Sequence, residues 1–254
     1  MSDTVSASRR LGALARYAVL QLRGNDRTHY TRDYRRMVQR LISKYPLDEA
    51  MSRAVGGFYN EIGQLQSQIL LEAGLKTGER LLDLGCGSGR LANALRDAVE
   101  VDYLGLDIIP ELLAYARTRS PPTYRFMLNT KLSIPAPDAQ FDMACAFSVF
   151  THLHHEETFL YLRDLARVLR PGGRLVFSFL EFRAPQHWEA FDRAVQAVSA
   201  SQRLHLDMFI ERSVIDVWCE RLGFERERFT GPTEPGPSGA LGQSVAVLRR
   251  VGEV

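Results

Sequence analysis

The stretch Leu81-Leu82-Asp83-Leu84-Gly85-Cys86-Gly87-Ser88-Gly89-Arg90-Leu91 decides the fold. Arg80–Leu84 reads as a short apolar strand, and Leu91–Val99 returns to helical spacing. A glycine-rich turn between strand and helix lets the backbone approach a ligand closely, and a helix N-terminus favours negative charge. Several ligands use such turns, so spacing must discriminate among them. A dinucleotide fingerprint, G-x-G-x-x-G, requires glycine at position 90, where Arg90 stands. A P-loop requires a lysine that is absent here. What remains is an acid, Asp83, two residues before the first glycine. It would repel a pyrophosphate and suits a ligand with an ammonium or sulfonium centre.

Working outward, strands and helices alternate. Tyr103–Leu106 reads as a second strand, Pro110–Arg119 as a helix opened by proline, and Tyr124–Leu128 as a third strand. Phe141–Ser148 reads as a fourth strand and Glu156–Leu169 as a long helix. Pro171-Gly172-Gly173 then turns into a fifth strand, Arg174–Leu180. A helix over Ser213–Leu222 and strands over Phe224–Thr230 and Ser244–Arg250 close the chain, with a Pro/Gly-rich loop over Gly231–Gly242. Such alternation predicts a parallel sheet with helices on both faces. Asp107 ends the second strand, 22 residues beyond Gly85. In an open parallel sheet that acid lies beside the first loop, where it can accept two ribose hydroxyls. The two acids describe a nucleoside with a cationic arm and no phosphate, and S-adenosylmethionine is such a molecule.

The segment from Leu81 to Leu91 resembles the first motif of class I S-adenosylmethionine-dependent methyltransferases, and Tyr103-Leu104-Gly105-Leu106-Asp107 resembles their ribose-binding motif. Phe141-Asp142, and then Leu162-x-x-Leu165-x-Arg167-Val168-Leu169-Arg170-Pro171-Gly172-Gly173, resemble the later signatures. The resemblance implies a doubly wound seven-stranded sheet, mostly parallel, with an antiparallel last strand. It places the methyltransferase domain over 59–254, with an insertion at about 182–212, and leaves 1–58 as an N-terminal helical cap. It also implies that Gly85, Cys86 and Gly87 hold the aminoacyl arm, with Asp83 near the ammonium. Asp107 would bind ribose and Ile108 would pack on adenine. Asn129 and Thr130 would take the adenine edge, and Phe147 would contact the amino-acid part through its backbone. Asp142 and Gly172-Gly173 read as structural.

Methyl transfer from a sulfonium needs alignment, and proton removal when the acceptor is an alcohol or phenol. His152, just past the fourth strand, is the candidate base. It competes with a plain loop histidine. His152, His154, His155 and Glu156 do not carry metal-ligand spacing, so no metal is expected. In the insertion, Arg183 and His187 are candidate acceptor contacts, whereas Trp188, Phe191, Val195 and Val198 share helical spacing and read as the core stripe of one helix.

Composition narrows the partners. The 254 residues carry 32 basic and 30 acidic groups and are 45% hydrophobic, ordinary for a globular chain. No apolar run approaches the ~18 residues of a membrane span. Three scattered cysteines read as reduced thiols of a cytoplasmic protein. The charge balance argues against DNA, and the chain lacks the aromatic and basic interleaving of an RNA platform. Residues 1–60 hold eleven basic against five acidic residues. Leu11, Leu14, Ala15, Ala18, Val19 and Leu22 lie at helical spacing, and a second helix is expected over Asp33–Ser43. The preferred reading is a helical lid. The alternative is a peripheral membrane contact, which would suit a lipid or isoprenoid acceptor. A small-molecule acceptor is the leading expectation. A non-catalytic binding or scaffold protein is the competing class, because fold does not fix chemistry.

Overall fold

The computed structural model describes residues 28–201 and 207–252. The expected helix over Leu11–Leu22 lies outside them. Among the described residues three helices come first: α1 (Thr28–Lys44), α2 (Leu47–Ala54), which begins directly after Pro46, and α3 (Tyr59–Glu72). The alternating part follows as β1 (Arg80–Leu84), α4 (Arg90–Leu95), β2 (Asp102–Asp107), α5 (Pro110–Arg119), β3 (Arg125–Leu128) and β4 (Phe141–Ala146). A 3-10 turn at Phe150–His152 leads to α6 (His155–Val168), β5 (Leu169–Phe179) and α7 (Pro185–Ser199). The chain closes with α8 (Arg212–Leu222), β6 (Phe224–Thr230), α9 (Pro237–Ala240) and β7 (Ser244–Arg250).

The seven strands form one sheet in the order β3-β2-β1-β4-β5-β7-β6. β1 pairs in parallel with β2 and β4, so the order reverses between β1 and β4. That reversal opens a crevice at the carboxyl ends of the strands. β7 runs antiparallel between β5 and β6, through pairs such as Val176↔Val247 and Phe229↔Ala246. The doubly wound sheet with its antiparallel last strand is therefore the observed architecture.

Strand parity divides the core. Leu82, Leu84, Leu104 and Phe177 pack against Leu162, Leu165 and Ile215 from α6 and α8. Leu81, Tyr103, Met143 and Cys145 face the other way, against Ile69, Leu70, Leu91 and Leu113 from α3, α4 and α5. Each such fully buried large side chain contributes roughly 1.5–3 kcal/mol. A smaller cluster joins Val38, Met51 and Ala54 of α1 and α2 to Ile109, Leu112 and Tyr115. This anchors the two helices beside the crevice. Among the described residues, no helix is long and apolar enough to cross a membrane.

Several expectations differ from the structure, and the loop expected over Gly231–Gly242 carries the short helix α9. The helix expected to reach Val99 stops at Leu95, and turn bonds from Ala98 and Val99 to the Leu95 carbonyl end it. Pro171-Gly172-Gly173 is a bulge inside β5 rather than a turn before it: Phe141 pairs with Leu169 and Met143 with Arg174, so three extra residues are absorbed. The stripe assigned to the insertion helix is displaced by about one residue. Trp188 is 51% exposed and Val198 74% exposed. Phe191 alone of the expected stripe turns inward, on a face it shares with His187, Ala194 and Ala197 of α7 and with Ala184 just before it. His187 can occupy a buried position because both ring nitrogens are satisfied. Nδ1 accepts from the Glu181 N–H at 3.1 Å, and Nε2 lies 3.3 Å from the Gly242 carbonyl.

Candidate active site

β1 leaves the sheet at Leu84, and Gly85 must turn the chain with φ +76°. An added Cβ there would lie 2.4 Å from Val149 Cγ2, so the loop is pressed against the segment after β4. Parallel pairing of β1 with β2 brings Asp107 beside this loop. Asp107 Oδ2 accepts from the Gly87 N–H at 2.9 Å, and Oδ1 accepts from the Ile109 N–H at 2.8 Å. The Ile108 N–H also faces this carboxylate, which keeps acceptor capacity for a diol. Burial pushes Asp107 up to about 6, against the pull of its backbone donors.

Asp83 is equally enclosed, at 3% exposure. Its register neighbour on β4 is Cys145, whose Sγ lies 3.5 Å from Oδ1, and the Tyr103 hydroxyl donates to Oδ2 at 2.5 Å. Burial raises this carboxyl to about 6, and the nearby Asp107 charge adds to the rise. No basic side chain pairs with either acid among the described residues. The buried thiols of Cys86 and Cys145 are pushed well above their ordinary range by burial.

The two acids open onto a cavity of about 580 Å³. That size is ordinary for a small-molecule site. Asp83, Gly85, Cys86, Gly87, Asp107, Ile108, Asn129, Phe147 and His152 all line it, so nine residues expected from sequence come together. Asn129 contributes a side chain already engaged locally: its amide donates to the Ser133 carbonyl at 2.7 Å, and its oxygen accepts from the Lys131 N–H at 3.3 Å. Thr130 is exposed and lies off the cavity. His152 stands at the end of the 3-10 turn, its N–H bonded to the Val149 carbonyl at 3.0 Å. The next carbonyl back, that of Thr151, accepts from the Met208 N–H at 2.8 Å, which ties the turn to the end of the insertion.

Two expected acceptor contacts lie elsewhere. Arg183 is exposed and sits 3.8 Å from Glu211, beside a separate hollow. His187 is the buried pin described above. Its bond to the Gly242 carbonyl holds the segment carrying Gln243, whose side chain lines the cavity and accepts from the Ser148 hydroxyl at 3.2 Å. The neighbouring histidines have local roles. The His154 N–H donates to Glu157 at the start of α6, and His155 Nε2 lies 2.9 Å from the Phe209 carbonyl.

Several lining residues were not anticipated: Tyr34, Met37, Arg53, Gln66, Arg90, Tyr161 and Gln243. Arg90 lies within the Leu81–Leu91 stretch, at the position where a dinucleotide fingerprint needs glycine. Gln66 carried a signal of its own, a polar residue on the Gly63-Gln66-Ser67-Leu70 face that α3 buries. The first helices also grip the glycine loop. The Ser88 hydroxyl donates to the Met51 carbonyl at 3.2 Å, the Tyr59 hydroxyl to the Ser88 carbonyl at 3.1 Å, and Arg90 Nη1 to the Val55 carbonyl at 2.8 Å.

Sheet order, the acid-bearing glycine loop and the second strand-end acid define a class, and comparison with known proteins agrees. Residues 82–177 match the family described as a methyltransferase domain. The chain is 34% identical over 182 residues to a malonyl-[acyl-carrier protein] O-methyltransferase of Serratia marcescens, covering 70% of this chain and 68% of that protein. It is 34% identical over 133 residues to the 27-O-demethylrifamycin SV methyltransferase of Amycolatopsis mediterranei, covering 49% of this chain and 47% of that protein. In fold it is similar to the PH0226 protein of Pyrococcus horikoshii OT3, with TM-score 0.58 and 19% identity over 78% of this chain and 92% of that one. The chain belongs to the class I S-adenosylmethionine-dependent methyltransferases, whose cofactor is S-adenosylmethionine. It spans about half the length of several curated relatives it matches.

The cavity fits that cofactor chemically. Two buried carboxylates without an ion-pair partner among the described residues suit a diol and an ammonium group.

Proposed function

We propose that this chain transfers the methyl group of S-adenosylmethionine to an oxygen nucleophile on a small molecule, with His152 as the general base. The observation that carries the reading is the sharing of one cavity by His152 and the Asp83/Gly85/Gly87/Asp107 set. When bound, the cofactor supplies an electrophilic methyl on a sulfonium sulfur. Asp107 would hold the ribose hydroxyls and Asp83 the ammonium end, leaving Ile108 and Leu106 as apolar walls for the base. His152 would take the hydroxyl proton of the acceptor as the oxygen attacks, since a neutral imidazole is a competent acceptor near neutral pH.

Support for a small acceptor comes from the rest of the lining. Tyr34, Met37, Val149, Leu153 and Tyr161 give an apolar surface with two phenols. The named relatives modify a rifamycin precursor and a malonyl group carried on a protein, and both names specify methylation at oxygen. The test is calorimetric titration with S-adenosylmethionine, followed by a screen of phenols, alcohols and carboxylic acids for methylated product by mass spectrometry. Micromolar cofactor binding together with an oxygen-methylated product is the expected result. Methylation confined to amines or carbon acids would remove the oxygen assignment, and no cofactor binding would remove the whole reading.

A further inference from the structure

The first helices carry charge and apolar area that the site does not use. α1 turns Tyr34, Val38 and Leu41 inward, into one cluster with Ile109, Leu112 and Tyr115. On its other side Arg32, Arg36, Arg40 and Lys44 follow at intervals of four residues, all exposed. Four residues advance a helix by about 6 Å, so the row runs for about 18 Å. Like charges at this spacing repel one another and destabilise a helix. The row is also poorly compensated. Asp33 lies 3.8 Å from Arg36, but among the described residues no acid pairs with Arg32, Arg40 or Lys44. The acids of α2 are engaged elsewhere, Asp48 with Arg119 and Glu49 with Arg53.

Phe58 is a second anomaly in the same region. It holds the left-handed conformation, φ 49° and ψ 49°, at the N-cap of α3. A bulky side chain is strained in that backbone, and the N-cap position prefers a polar one. The residue is nevertheless 71% exposed, so burial does not account for it. Gly56 and Gly57 before it also have positive φ, and a Cβ added to either would meet nothing within 4 Å, so the turn stands clear of the fold. Leu47, which opens α2, is 54% exposed. The Tyr45 ring carries Lys44 Nζ at 5.2 Å and Arg53 Cζ at 4.3 Å, which holds the end of the cationic row beside the end of α2. Met37 and Gly56 are exposed and line the cavity, so α1 and the turn border its mouth.

A cationic row alone fits any polyanion. Exposed leucine and phenylalanine beside it narrow the choice, because an anionic bilayer attracts basic residues to its surface and takes up apolar side chains at its head-group boundary. A nucleic acid can stack a base on phenylalanine but gains nothing comparable from leucine. We infer that α1 and the 55–58 turn form a membrane-docking surface, in which Arg32, Arg36, Arg40 and Lys44 meet anionic lipid head groups while Phe58 and Leu47 enter the interface. The apolar face of α1 stays packed against α5, so the helix rests on the bilayer through its charges rather than through its own stripe. Docking brings the cavity mouth, at Met37 and Gly56, to the lipid surface. The inference depends neither on which atom is methylated nor on His152.

The test is co-sedimentation of the full chain with vesicles of phosphatidylcholine, alone or mixed with phosphatidylglycerol, with binding of single-stranded RNA measured in parallel. Sedimentation should require the anionic lipid and weaken in high salt. Arg32→Gln, Arg40→Gln and Lys44→Gln together should weaken it roughly 100-fold, about fivefold for each cation. Phe58→Asn should weaken it roughly tenfold and yet raise the melting temperature, since asparagine tolerates the left-handed backbone better. A merely structural role for Phe58 would not move the two in opposite directions. Thermal melting of the triple variant confirms that it is folded. No sedimentation with anionic vesicles, or equal sedimentation with neutral ones, would overturn the surface. Binding unchanged in the folded triple variant would move the contact to another part of the chain, and binding unchanged in Phe58→Asn would remove the anchor. Tighter binding of RNA than of vesicles would make the partner a nucleic acid.

Discussion

The same rules of spacing apply to the glycine-loop region and to the insertion helix α7, yet only the loop follows them throughout. At the loop, Asp83, Gly85, Gly87 and Asp107 converge as expected, with Asp107 bonded to the Gly87 N–H at 2.9 Å. At α7, three of the four residues expected to be core, Trp188, Val195 and Val198, face solvent, and a histidine lies inside beside Phe191. The loop is fixed by covalent order, sheet register and the backbone requirements of glycine, none of which depends on what lies across from it. The helix face is fixed by what it meets. Phe182, Phe191 and Phe209 form one aromatic cluster, with Phe182 stacked on Phe209 at 4.6 Å, and Phe191 is the α7 residue that enters it. Periodicity finds that a helix has an apolar stripe, but the partner decides which of two neighbouring stripes is buried.

The largest expected effect tests the loop side through His152, which shares its cavity. His152→Ala should lower kcat by about 10²–10⁴ if the imidazole removes the acceptor proton. Cofactor affinity measured by calorimetry should change little, because Asp83 and Asp107 are untouched. A fall in affinity with kcat intact would move His152 from proton transfer to cofactor contact.

Asp107→Ala should weaken S-adenosylmethionine binding by roughly 1.5–3 kcal/mol, about tenfold to a hundredfold in Kd. The variant loses the ribose acceptor and also leaves the Gly87 and Ile109 N–H groups without their partner. Asp107→Asn should be milder, since one acceptor oxygen remains. Titration with adenosine alone separates the ribose contribution from the rest. An unchanged Kd in both variants would place the ribose elsewhere.

Much of this was legible because the decisive residues announce themselves locally. Strand boundaries at Arg80–Leu84, Phe224–Thr230 and Ser244–Arg250 follow from apolar runs bounded by turn residues. Contributions from the first helices were not legible. Tyr34 and Met37 reach the cavity because α1 and α2 dock on Ile109, Leu112 and Tyr115, a contact between residues some 60 to 80 positions apart, and Gln66 reaches it from α3. Arg183 and His187 were drawn to the site by charge and type alone. The structure uses His187 to pin the segment before Gln243, where its buried imidazole replaces a hydrophobe.

A pH series separates the enclosed acids from the exposed charges of the surface. Asp83 and Asp107 titrate near 6 in the folded protein because burial disfavours their charged forms. In the unfolded chain they would titrate near ~3.9. Between about pH 4 and 6 the ligand-free folded state thus holds more protons than the unfolded one. Both acids then reduce stability as pH rises through this window, fully so above about 6 and not at all below about 4. Cofactor binding runs the other way, since a cationic arm and ribose hydroxyls favour the ionised carboxylates. Affinity for S-adenosylmethionine should fall as pH drops below about 6, by at most about tenfold per pH unit for each acid. Calorimetry from pH 5 to 8 checks the slope. A flat profile would mean that neither acid faces the bound molecule.

The smallest effect is the sharpest test of the comparison, because the two readings of α7 disagree on its size. Trp188 touches Phe191 at 5.2 Å between ring centroids, but half its surface meets solvent. Trp188→Gln should therefore cost at most about 1 kcal/mol in denaturant unfolding. Phe191→Ala, one turn along, should cost roughly 3 kcal/mol, because its ring packs edge-on against both Phe182 and Phe209. The order of the two matters more than either value, since the displaced stripe demands that Phe191 outweigh Trp188. Were Trp188→Gln as costly as Phe191→Ala, something would have to cover the tryptophan in solution, and the helix would be buried on two sides rather than one.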